Sequence, residues 1–95
     1  MSSMRISGWH YVYVLLSHFD NNLYIGYTNN LEKRIRTHNA KRNFSTKGRT
    51  PFKLIYAEAS TNIVDAKRRE RYLKTTQGHR FLKLRLREFL KLKNY

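Results

Sequence analysis

The chain has 95 residues, with 20 Lys and Arg against 6 Asp and Glu, a formal charge of +14 with the histidines neutral. So short a chain builds a single core, and self-repulsion of this size implies a polyanionic neighbour, nucleic acid foremost. The lack of cysteine excludes disulfides and thiolate zinc sites, and no apolar run has the length of a signal peptide or a membrane span, so a cytoplasmic protein is expected.

Residues 1–8 read as a flexible N-terminal segment and 9–93 as one domain. His10 to Leu16 is apolar on both alternating faces, as a strand covered on both sides requires. Asp20, Asn21 and Asn22 favour a turn, and Tyr24 to Thr28 returns across it, predicting a hairpin. With a four-residue loop, His18 to Asn21, Tyr13 falls opposite Gly26 and diagonal to Tyr24, all on one face. A loop of odd length separates them.

Asn29 or Asn30 suits an N-cap. In LEKRIRTHNAK, Leu31 and Ile35 stand four apart, predicting a short amphipathic helix. Asn39 to Pro51 is polar, basic and turn-prone, a loop carrying Lys41, Arg42, Lys47 and Arg49. Phe52 to Glu58 supplies a third strand. Ser60, Thr61 and Asn62 offer caps for a helix from about Ile63 to Thr75, Gly78 interrupts it, and His79 to Lys93 forms a last basic, leucine-rich helix. The order β-β-α-β-α-α describes an α/β chain of the α+β kind, a small three-stranded antiparallel sheet flanked by helices.

Polar residues fall on faces that should be apolar. At 100° per residue, Ile63, Ala66 and Leu73 share one arc of their helix and Glu70 lies inside it. An unpaired carboxylate there costs several kcal/mol, so it needs a cation, a metal or a wet cleft. Arg34 and His38 likewise flank the Leu31 and Ile35 stripe. An Arg34–Glu70 ion pair, or an arginine running its stem along the core with its head in water, accounts for part of this. Strand tyrosines usually only pack. Two phenols, a guanidinium, an imidazole and a carboxylate with a route to one sheet face make a reactive constellation.

Here the sequence resembles the GIY-YIG nuclease family, especially its short standalone members. Tyr11-Val12-Tyr13 stands where the first signature tripeptide belongs, with Tyr11 in place of its glycine, and Tyr24-Ile25-Gly26 matches the second. The family's arginine falls on Arg34, its frequent His or Tyr one turn later on His38, and its metal-binding glutamate on Glu70 within RRERYLK. The resemblance implies an endonuclease that hydrolyses DNA phosphodiesters, structure-selective or weakly sequence-selective, with one Mg²⁺ or Mn²⁺ held by Glu70. Tyr13 or Tyr24 would handle the attacking water with His38 in support, and Arg34 would contact the scissile phosphate.

A two-metal site needs several converging carboxylates, and of the six acidic residues only Glu70 falls on an inward arc, so one metal is expected rather than two. Lys41, Arg42, Lys47, Arg49, Lys67, Arg68 and Arg71 are the expected phosphate contacts, giving salt-dependent affinity without base specificity. DNA is the expected partner with RNA left open, no membrane is involved, and the chain is a monomer or weak dimer. The main rival is a non-catalytic nucleic-acid-binding module on the same fold. A membrane-surface helix in FLKLRLREFLKLK and base stacking by Trp9, Phe19 or Phe44 are weaker alternatives.

Overall fold

A computed structural model describes residues 8–40 and 47–93. Strands β1 (His10–Ser17), β2 (Leu23–Thr28) and β3 (Phe52–Ser60) form an antiparallel sheet in the order β2-β1-β3. The apolar run of β1 therefore takes the central place, and Val12 to Leu16 are all buried. Tyr13 pairs with Gly26 and Leu16 with Leu23, so the hairpin has the four-residue loop 18–21. Ser17 N–H donates to the Asn22 carbonyl at 3.0 Å. Asn21 takes the left-handed backbone (φ 59°) that asparagine tolerates.

Among the described residues four helices accompany the strands, α1 (Leu31–Asn39) between β2 and β3 and, after β3, α2 (Ile63–Leu73), α3 (Thr76–Arg85) and α4 (Arg87–Leu92), with a 3₁₀ turn at Lys47–Arg49. Strand alternation divides the core. Val12, Val14 and Ile25 pack with Ala66 of α2, Leu73 and Leu82. Tyr13, Leu15 and Phe52 pack with Tyr24, Leu54 and the α1 residues Leu31 and Ile35. A bulge between Val14 and Leu15 skips Ile55 in the pairing, so Ile55 and Tyr56 both lie against the first cluster.

The helical half differs from expectation in three places. β3 runs on to Ser60, two residues beyond Glu58. The break after α2 falls at Lys74 and Thr75, not at Gly78, because the Thr75 hydroxyl accepts from Gly78 N–H at 3.1 Å and caps α3. Gly78 lies inside α3 and serves another purpose, since a Cβ there would run into the Tyr72 carbonyl and Leu73 Cα. The last helix bends at Leu86, giving the order β-β-α-β-α-α-α. The bend buries Leu90 and sets Phe89 beneath Lys53 Nζ, 5.5 Å from the ring centroid. Lys41 and Arg42, the Lys47 side chain, and residues 1–7 of the expected N-terminal segment lie outside the described residues.

Candidate active site

Tyr13 points from the centre of β1 toward the α1 side and has no exposed surface. Its ring lies across Gly26 so closely that a Cβ there would fall inside the phenol. The glycine thus supplies space. Tyr24 shares this face and stays half-buried, its ring centroid 6.3 Å from that of Tyr13 and 6.3 Å from that of Phe52.

The N-cap of α1 is Asn30, whose side chain accepts from Lys33 N–H at 3.2 Å. Starting there, the helix carries Leu31, Ile35 and His38 at i, i+4 and i+7, one face toward the sheet, with Arg34 half-buried beside them. His38 has no exposed surface, and its Nε2 lies 2.9 Å from Tyr13 Oη. The imidazole also meets the rings of Tyr24 and Phe52 at 4.9 and 5.8 Å between centroids. The adjacent Asn39 fixes Phe52 by accepting from its N–H at 2.7 Å and donating to its carbonyl at 3.1 Å.

The electrostatics keep both partners of the buried pair neutral. Burial, with the neighbouring Tyr24, pushes the Tyr13 phenol up to about 12, against a guanidinium of Arg34 that favours the phenolate as charge and hydrogen-bond partner. The Glu70 carboxylate adds to the rise. Burial, then the positive charge of Arg34, holds His38 below the usual histidine range. The neutral imidazole can therefore accept the phenol O–H.

Glu70 emerges from α2 with its side chain 17% exposed, and Lys74 Nζ lies 2.9 Å from its Oε2. The ion pair of Glu70 is thus with Lys74, one turn on, and not with Arg34. A hard divalent ion that keeps most of its waters asks the protein for one or two carboxylates and takes the rest from phosphate oxygens. Among the described residues no three His, Asp or Glu side chains converge, so a divalent ion held by Glu70 would take most of its ligands from water and phosphate oxygens.

The expected phosphate contacts divide. Arg49 binds Asp20 through two bonds of 2.6 and 3.3 Å and lies over the Phe52 ring, so its guanidinium fastens the β1–β2 turn. Lys67 Nζ sits 4.7 Å above the Tyr27 ring, Arg68 pairs with Asp65 at 2.6 Å in solvent, and Arg71 is exposed.

Sequence reasoning counts Arg69 among the helix's basic surface residues and does not foresee its partner: it makes two bonds of 2.8 and 2.9 Å to Glu58 and covers the rings of Phe81 and Tyr72 at 4.6 and 5.3 Å. Burial pushes the Glu58 carboxyl up, but the bonds from Arg69 and Tyr56 outweigh it and hold the group below the usual range. The Glu70–Lys74 pair was readable from its i, i+4 spacing.

Residues 9–87 match the profile of the GIY-YIG catalytic domain. The chain belongs to the GIY-YIG family. This GIY-YIG chain is 44% identical over 89 residues to the UPF0213 protein CPE1444 of Clostridium perfringens, covering 90% of this chain and 91% of that one. It is 45% identical over 76 residues to the UPF0213 protein SH2523 of Staphylococcus haemolyticus, covering 79% and 92%. The solution NMR structure of the UPF0213 protein BH0048 from Bacillus halodurans is similar with a TM-score of 0.50 at 32% identity, covering 78% of this chain and 81% of that one. In family terms the two tripeptides, Tyr11-Val12-Tyr13 and Tyr24-Ile25-Gly26, lie on paired neighbouring strands, with the last residue of one directly opposite the last of the other.

Proposed function

We propose that this chain is a metal-dependent endonuclease that hydrolyses phosphodiester bonds in DNA, selecting structure or, weakly, sequence. One observation carries the proposal: a sealed Tyr13–His38 pair at 2.9 Å whose phenol feels the charges of both Arg34 and Glu70. Apolar side chains would fill the same space without needing partners for their polar atoms.

A phenol with a pKa of about 12 is a poor base when acting alone at neutral pH. It acts differently as a relay. Tyr13 donates its O–H to neutral His38 Nε2 while its oxygen takes a proton from the attacking water, so the phenol stays neutral throughout and the charge ends on imidazolium. The resulting hydroxide oxygen bonds to phosphorus and the ester oxygen leaves as alkoxide. Half-exposed Tyr24 orients the water on the same face. The half-buried Arg34 guanidinium turns from the phenol to the scissile phosphate and in doing so opens Tyr13, which has no accessible surface in the free protein. A divalent ion on Glu70 would stabilise negative charge on the phosphoryl and leaving oxygens as a Lewis acid.

The full burial of Tyr13 and His38 also favours a second reading, a nucleic-acid-binding module in which the pair only braces the fold. End-labelled branched and single-stranded DNAs, incubated with Mg²⁺ or Mn²⁺, separate the two. Cleavage by the wild type and a loss of about 10²-fold or more in Glu70→Ala support the nuclease. Binding by both proteins with no cleavage on any of these substrates supports the module. Among the described residues no helix is long and apolar enough to cross a membrane.

A further inference from the structure

We propose that Lys74 is a second cation of the active site: in the free protein its ammonium occupies the Glu70 carboxylate where a divalent ion would bind, and on metal loading it turns to a substrate phosphate. This inference rests on the reading of Glu70 as the metal-holding residue.

A Glu and a Lys four residues apart on a helix normally pair in open solvent and contribute a few tenths of a kcal/mol. Glu32 and Arg36 show the same spacing with arginine as the cation, 3.5 Å apart with side chains 86% and 65% exposed. Glu70 and Lys74 differ. The acid is tucked in at 17% exposure, while the lysine side chain is 53% exposed and reaches it at 2.9 Å. The cation is the more exposed of the two. Lys74 is also the C-cap of α2, where the chain leaves the helix toward Thr75.

The chemistry supplies the motive for movement. Ammonium and a divalent ion seek the same carboxylate oxygens, and like charges cannot both sit close to one acid in a partly desolvated position. The doubly charged ion displaces the singly charged one. A lysine ammonium is a compact point charge with three donors on a flexible stem, suited to a phosphate whose exact orientation varies. The constellation otherwise faces a polyanion with one guanidinium, and a displaced Lys74 adds a second positive group at the moment the nucleic acid is engaged.

The test compares wild type, Lys74→Met, Lys74→Arg and Glu70→Ala. Mn²⁺ binding to the DNA-free protein is followed by electron paramagnetic resonance, and affinity for an end-labelled branched DNA is then measured in saturating Mn²⁺. With its competitor gone, Lys74→Met binds Mn²⁺ about fivefold tighter yet binds DNA about threefold to tenfold more weakly. Lys74→Arg keeps DNA affinity near that of the wild type. Opposite changes in the two affinities are not produced by a loss of fold, which weakens both. Wild-type Mn²⁺ and DNA affinities in Lys74→Met overturn the inference alone, provided Glu70→Ala loses Mn²⁺. Unaltered Mn²⁺ binding in Glu70→Ala overturns the reading of Glu70 and this inference with it.

Discussion

Replacing Gly26 with Ala tests the shape of the site with one methyl group. The new Cβ would stand 2.5 Å from Tyr13 Cζ and nearer still to Oη, where ordinary contact begins at 3.4 Å. The ring must retreat by close to an ångström. It has nowhere to go, being fully buried against Tyr24 and His38 at centroid distances of 6.3 and 5.8 Å, and any retreat strains the 2.9 Å bond to His38. Overpacking of this kind costs about 1–3 kcal/mol and a weakened buried hydrogen bond about 1 kcal/mol. The expected loss is about 2–4 kcal/mol, or roughly 10–25 °C in Tm for a domain of this size. Urea unfolding followed by circular dichroism measures it. In a Tyr13→Leu background, where no ring crosses the glycine, the same methyl should cost less than about 0.5 kcal/mol. Equal losses in both backgrounds, or wild-type stability in Gly26→Ala alone, refute the reasoning.

Two further outcomes are expected. The His38 pKa is lowered by burial and by Arg34, so the unfolded chain takes up that proton before the folded one does. Its contribution is complete above the ordinary histidine value of about 6.5 and declines as the pH falls from there toward the folded pKa. Urea midpoints measured from about pH 8 down to about pH 5 should therefore fall less steeply in His38→Gln than in the wild type. Arg69→Met removes two bonds to Glu58 and two ring contacts. With side chains 35% and 25% exposed, solvent moderates the loss to about 1–2 kcal/mol, read from the urea midpoint. Any DNA cleavage per folded molecule should be unaffected.

The hairpin was legible because strand alternation and a turn of fixed parity leave little choice. Once Asp20 to Asn22 form the turn, Tyr13, Tyr24 and Gly26 must share a face. Helical angle likewise puts Glu70 in the apolar arc of α2, and its side chain is 17% exposed. What local pattern could not convey was depth. The complete burial of Tyr13 and His38 depends on how α1 closes over the sheet, a matter of tertiary packing. Arg69 was hidden for a related reason: its partner Glu58 lies in a strand that pairs two residues beyond its expected end, and only the crossing of α2 over that strand brings the two together. Composition alone makes Gly78 a helix breaker, whereas its role is close approach between α2 and α3. Arg49 looked like one of several loop cations, and only the folded turn reveals Asp20 as its partner.

The two fastenings beside the site have an evolutionary implication. Asn39 grips both backbone groups of Phe52, and Arg49 is tied to Asp20 and, through its carbonyl, to the Ser17 hydroxyl. Asn39 lies in α1 and Arg49 in the 3₁₀ turn, and each ties its element to the sheet. A lineage that loses either must find another anchor for the start of β3 or for the β1–β2 turn that seat the aromatic cluster.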